Sequence, residues 1–123
     1  MLDAGAFVAV DRGDRAMLAR LRVAQRGGLE LRTTGVVISQ VWRDPAGRQA
    51  NLARLLRSVD VIAVDEQLGR HAGVLLEKAG TTDAVDASVV AVSRTGDRIV
   101  TGDRDDIAPL VAAAQRSILI TDC

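Results

Sequence analysis

Asp103, Asp105 and Asp106 stand within four positions of one another in "VTGDRDD", directly behind the short apolar run "DRIV". Like charges this close repel, so a cluster kept at the end of a strand asks for a counter-charge. Acids recur at two comparable places. Asp3 follows a very short apolar start, and Asp83 and Asp86, three apart, share one face at the beginning of a helix. A gathered set of carboxylates suits hard divalent cations such as Mg²⁺ or Mn²⁺, which take oxygen ligands and keep waters for a phosphate group. Such a site can activate water and stabilise the attacking and leaving oxygens of an in-line displacement at phosphorus.

Each acid also has a plain structural account. Asp83 is a natural N-cap, Asp86 favours the positive end of its helix, Asp103 can cap the last helix, and Asp105 can face water. That account is weakest for Asp86, which lies a turn inside a helix otherwise made of Ala, Val and Ser and followed by Val89, Val90 and Val92. Its carboxyl is expected to point toward the sheet end. Asp11, Asp14, Asp44, Asp60, Asp65 and Asp97 are read as caps, turns and solvated surface.

The elements that must position these acids follow from the apolar spacing. "AGAFVAV" reads as a short apolar helix, and Asp14 caps "RAMLARLRVAQR", which Gly27-Gly28 ends. "LELRT" alternates as a short strand does, with Leu29 and Leu31 on one face. "TTGVVISQVW" is a loop entering a buried helix, and Pro45 starts the helix "AGRQANLARLLRS". "VDVIAV" is a strand, Asp65 caps "EQLGRHAGVLLEKAG", and Asp83 begins "AVDASVVAVSRTG". "RIVT", the helix "DIAPLVAAAQR" and the strand "SILIT" complete the chain. This alternation predicts one three-layer α/β domain over residues 1–123 with a parallel sheet and right-handed crossovers. Ligands in such sheets bind beyond the carboxyl ends of the strands, where these acids fall.

Composition narrows the function classes. At 123 residues and 48% apolar content, the chain can bury one core and is not a disordered segment. With one Phe, one Trp and no Tyr, it has no aromatic platform of the kind that stacks a run of bases. The net charge of zero gives no global field for a polyanion, although arginines, which grip phosphate bidentately, leave a local surface possible. One cysteine allows no intrachain disulfide. The opening "MLDAG" is no signal peptide, and no uncharged run is long enough to span a bilayer, so a cytoplasmic location with no membrane contact is expected.

Taken in order, "LDAGAFVAV", "DAVDASVVAV" and "IVTGDRDDI" resemble the motifs of PIN-domain ribonucleases, and within them of VapC-type toxins from bacterial toxin–antitoxin pairs. The likeness runs over nearly the whole chain. It implies a PIN-like α/β/α domain with four to five short parallel strands, and a metal-dependent endoribonuclease that leaves a 5′-phosphate. It also implies RNA as substrate, a VapB-like antitoxin as partner, and a homodimer. Carried over by position, Asp3, Asp86 and Asp103 would hold Mg²⁺ or Mn²⁺. Asp106 would be a fourth acid, Thr101 would orient an acid or the attacking water, and Asp83 would support. One position departs: the usual Glu on the helix after the second strand is matched here by Gln40, which carries no charge and cannot act as a base. A catalytically weak or inactive module that binds RNA or an antitoxin is therefore the alternative. Only Met1 and Leu2 precede Asp3, which leaves open a start upstream of Met1.

Arg12, Arg15, Arg43 and Arg48 are the candidate phosphate contacts, because they flank segments expected near the acidic edge. The single histidine, His71, excludes a multi-histidine zinc site and is read as a surface or boundary residue. Cys123, at a frayed end, is a poor nucleophile. Trp42 is read as core or interface anchor, with base stacking as the lesser alternative. The apolar helix with Val36, Val37, Ile38, Val41 and Trp42 is a candidate groove for a partner helix.

Overall fold

The computed structural model describes residues 1–43 and 46–123. The start expected at Pro45 and the surface role read for Asp44 lie outside the described residues. Among the described residues, seven helices and four strands follow in the order α1 (Ala4–Asp11), α2 (Arg15–Arg26), β1 (Leu31–Thr34), α3 (Gly35–Val41), α4 (Ala50–Leu56) and β2 (Val59–Ile62). Then come α5 (Glu66–Ala79), α6 (Ala84–Val92), β3 (Arg98–Thr101), α7 (Arg104–Ala114) and β4 (Leu119–Asp122).

The strands form two parallel pairs, β1 with β2 and β3 with β4, and the N-terminal residues join them. The Leu2 N–H donates to the Arg32 carbonyl at 2.7 Å, Asp3 N–H to Val100 at 3.0 Å, and Val100 N–H to Met1 at 2.9 Å. Leu2 also bridges Val100 in parallel, so the order across the sheet is β2, β1, Met1–Asp3, β3, β4. The chain moves outward to β2 and then returns to the other side of its first segment. The switch point therefore lies between Asp3 and the end of β3, as the placement rule for open sheets requires.

Helices α2, α3 and α4 pack around α1, while α5, α6 and α7 pack on one another, giving the three layers. The fully buried Phe7, Leu2, Leu52, Ile99, Ile107 and Leu110 form the centre of the core. Helix α6 is apolar nearly all round, with every residue from Asp86 to Ala91 buried, which is how a helix enclosed by neighbours reads.

Several expectations are corrected. β1 begins at Leu31, and all four of its residues are buried, whereas Leu29 is 62% exposed. A central strand covered on both faces has no reason to alternate. Helix α4 starts at Ala50, so residues 46–49, expected within it, stand outside, and Gly47 sits at φ +76°, outside the helical range. Trp42 is not core: it caps α3 in extended conformation and is 40% exposed. Of the apolar residues of α3 read as a groove for a partner helix, Val37 and Val41 are buried in the core, while Val36 and Ile38 are half-buried. Asp97 is no solvated acid, since it pairs with the buried Arg32 at 2.5 Å. The last residue is not frayed: Cys123 N–H donates to the Thr101 carbonyl at 3.0 Å. Among the described residues no helix is long and apolar enough to cross a membrane.

Candidate functional site

Asp3 ends the first extended segment and occupies the N-cap place of α1, but its side chain makes no cap hydrogen bond. One carboxylate oxygen, Oδ2, accepts from the Thr101 hydroxyl at 2.7 Å. The other, Oδ1, is buried with no hydrogen-bond partner among the described residues. Thr101 closes β3, is fully buried, and accepts from the Asp103 N–H at 3.0 Å through the same hydroxyl. One side chain thus fixes both the Asp3 carboxylate and the turn that leads into α7. Asp103 is the N-cap of α7 and, like Asp3, does not cap with its carboxylate.

Asp86 reaches the same place from α6 and is 7% exposed. Burial pushes its carboxyl up to about 7, reinforced by the negative charges of Asp3, Asp83, Asp106 and Asp103. The acids of three distant segments are therefore brought to one sheet edge, as the sequence suggests. As the side chains stand, no three or more His, Cys, Asp or Glu groups among the described residues are drawn together closely enough to hold a metal ion. The set still fits a cation in chemistry: a buried carboxylate oxygen without a donor and a neighbouring carboxyl that resists ionisation both gain from a positive charge between them.

The remaining candidates are less central. Asp83 accepts from the N–H groups of Val85 and Asp86 at 2.9 and 3.1 Å, so its carboxylate caps α6. Asp106 and Asp105 lie in the first turn of α7 and are exposed. Gln40 is exposed on α3. Arg12 caps the end of α1 and Arg15 opens α2, both in solvent, as is Arg48. Arg43, expected near the acidic edge, folds onto the Ser39 and Trp42 carbonyls at 2.9 and 2.7 Å, at the far end of α3 from Thr34.

Two contributors have no counterpart in the sequence reading. The Thr34 side chain caps α3 and meets the Ser88 hydroxyl at 3.1 Å, docking α3 on α6 two residues from Asp86. Gly5 lets α1 approach the loop after β3: a Cβ there would stand 2.9 Å from the Gly102 nitrogen and 2.9 Å from the Cys123 sulfur. A Thr before a helix and a Gly two residues after an acid are common signals, which is why neither stood out.

No family model matches the chain, and no curated relative matches its sequence. Among solved structures, it is similar to a chain of VapBC2 from Rickettsia felis, crystallised bound to a DNA fragment from the promoter of that pair. The TM-score is 0.72 at 13% identity, over 100% of this chain and 97% of the other. With its strand order and layers, that likeness gives this chain a three-layer α/β/α fold of the PIN-like kind.

Proposed function

We propose that this chain is a metal-dependent endoribonuclease, the toxin half of a VapBC-type pair, hydrolysing RNA at the sheet edge where Asp3 and Asp86 meet. The observation that carries the proposal is the pairing of Asp3, with its buried and unpartnered Oδ1, and Asp86, whose carboxyl is raised to about 7. Asp3, Asp86 and Asp103 would hold Mg²⁺ or Mn²⁺. When bound, the cation supplies a water of lowered pKa and offsets charge at the phosphate. Thr101 fixes the rotamer of Asp3 through its 2.7 Å hydrogen bond to Oδ2, which leaves Oδ1 free for the cation. Asp86 gives up its proton near neutral pH, and Asp106 adds negative charge from the first turn of α7. Asp83 acts by holding the start of α6, and with it Asp86, in place.

The likeness to a chain of VapBC2 supports a VapB-like antitoxin as partner. The cytoplasm is the proposed place of action. A homodimer is the proposed assembly. A second reading, a catalytically silent module that binds RNA or the antitoxin, is favoured by exposed Gln40, which adds no charge where a Glu is expected. Cleavage of RNA by the purified chain, with Mg²⁺, with Mn²⁺ and with EDTA, separates the two. Metal-dependent cutting that falls at least about 100-fold in Asp86→Asn is expected. A folded wild-type chain that cuts under no metal would leave only the silent module.

A further inference from the structure

The described residues on the outer face of α4 and beside its start form a surface unlike the acidic edge. Helix α4 is two-faced: Leu52 and Leu55 are buried in the core. Ala50, Ala53, Arg54 and Arg57, spaced i, i+3, i+4 and i+7, form its outer stripe. With Trp42 and Gly47 this stripe lines a groove of about 390 Å³. No carboxylate lines it among the described residues. Arg54 and Arg57 are exposed and enter no ion pair among the described residues, unlike Arg43, which folds onto carbonyls. Trp42, the one tryptophan, stays 40% exposed although it is the largest apolar side chain the molecule has to bury.

These groups form a recognition set. Guanidinium groups pair with phosphate bidentately, an indole face stacks on a base, and alanines let a planar group approach the helix closely. An acidic peptide would satisfy the arginines but leave the indole without a planar partner. Helix α3 links this groove to the acidic edge. Its cap Thr34 touches Ser88 beside Asp86, and its other end is Trp42, eight residues and about 12 Å further on. We propose that the groove takes a single-stranded segment of RNA, with a base on Trp42 and flanking phosphates on Arg54 and Arg57. It rests on the RNA-directed reading above and names where the strand is held outside the cutting site.

Trp42 is the only tryptophan and tyrosine is absent, so indole emission reports this groove alone. The Asp86→Asn chain, in which cutting should be lost, is titrated with a single-stranded oligoadenylate of about eight nucleotides, and separately with inorganic polyphosphate. Expected are saturable quenching of Trp42 by the oligonucleotide and none by polyphosphate. In Arg54→Ala/Arg57→Ala the affinity should fall about tenfold, and the slope of log affinity against log salt by about 0.7 per arginine. Trp42→Leu, followed by anisotropy of labelled RNA, should lose about tenfold while its circular dichroism is unchanged. Labelled RNA that binds without changing Trp42 emission, equal quenching by polyphosphate, or full affinity in folded Trp42→Leu would each overturn the groove. Quenching by RNA in a chain whose wild type cuts nothing would leave the groove standing and remove only the nuclease. Cutting with a silent Trp42 would do the reverse.

Discussion

Aspartate stands at the N-cap of five helices in this chain, and the five divide into two kinds. Asp14, Asp65 and Asp83 each accept a backbone N–H of their own helix, at 3.1 Å for Met17, 2.9 Å for Leu68 and 2.9 Å for Val85. Asp3 and Asp103 occupy the same position in α1 and α7 and make no such bond. A side-chain cap contributes about 1 kcal/mol, so two helices forgo that stabilisation. Both lie at the switch point of the sheet, beside the buried Asp86. The same residue at the same local position thus does different work. The difference lies in whether the carboxylate is engaged by its own backbone or held toward a neighbouring acid.

Exchanging single members of the two sets tests that division. The largest effect is expected at Asp3: Asp3→Ala should lower RNA cleavage by at least about 100-fold, as removal of a metal-holding carboxylate does. Its thermal midpoint should change little, because the lost hydrogen bond from Thr101 is offset by the removal of an unpartnered buried oxygen and of a negative charge beside Asp86. Asp65→Ala should behave in the opposite way, losing about 1 kcal/mol of unfolding free energy in urea with cleavage unchanged. Should Asp3→Ala lose stability and Asp65→Ala lose activity, the two kinds would be one.

The smallest effect is in the pH dependence of stability. The Asp86 carboxyl is raised from 3.8 to about 7 in the folded chain, so between these values the folded state holds the proton more tightly than the unfolded one. Unfolding free energy should therefore fall as pH rises from about 4 to about 7, and the full loss is present above 7. Asp86→Asn should remove this slope and add on the order of 1 kcal/mol at pH 8, after solvent screening is allowed for. Urea titrations at several pH values, without added metal, measure it. A slope of the opposite sign would mean that Asp86 is stabilised as a carboxylate.

Much of the fold was legible because its signals are local. The strand "RIVT" matches β3 residue for residue, and the caps Asp14, Asp65 and Asp83 are where the sequence puts them. The first strand of the sheet was hard to bound because Met1–Asp3 is paired by neighbours distant in sequence, Arg32 and Val100. The buried Arg32–Asp97 pair was missed for the same reason: 65 positions separate its members, and neither has a local sign of burial. In the site, Asp86 was visible as an acid inside an apolar helix. That Asp83 is engaged by its own backbone while Asp103 is not could only come from geometry. Trp42 misled because size suggests burial, whereas its extended backbone at the end of α3 leaves it partly in solvent.

The most direct measurement is the titration of the Asp86 side-chain carboxyl by carbon-detected nuclear magnetic resonance, without and with Mg²⁺. If the unengaged acids gather to hold a cation, Asp86 titrates near 7 in the metal-free chain and moves to markedly lower pH as Mg²⁺ is added. An Asp86 that titrates near 7 and ignores Mg²⁺, or that is already ionised at pH 5 without it, would contradict the assignment of this edge as a metal-dependent active site.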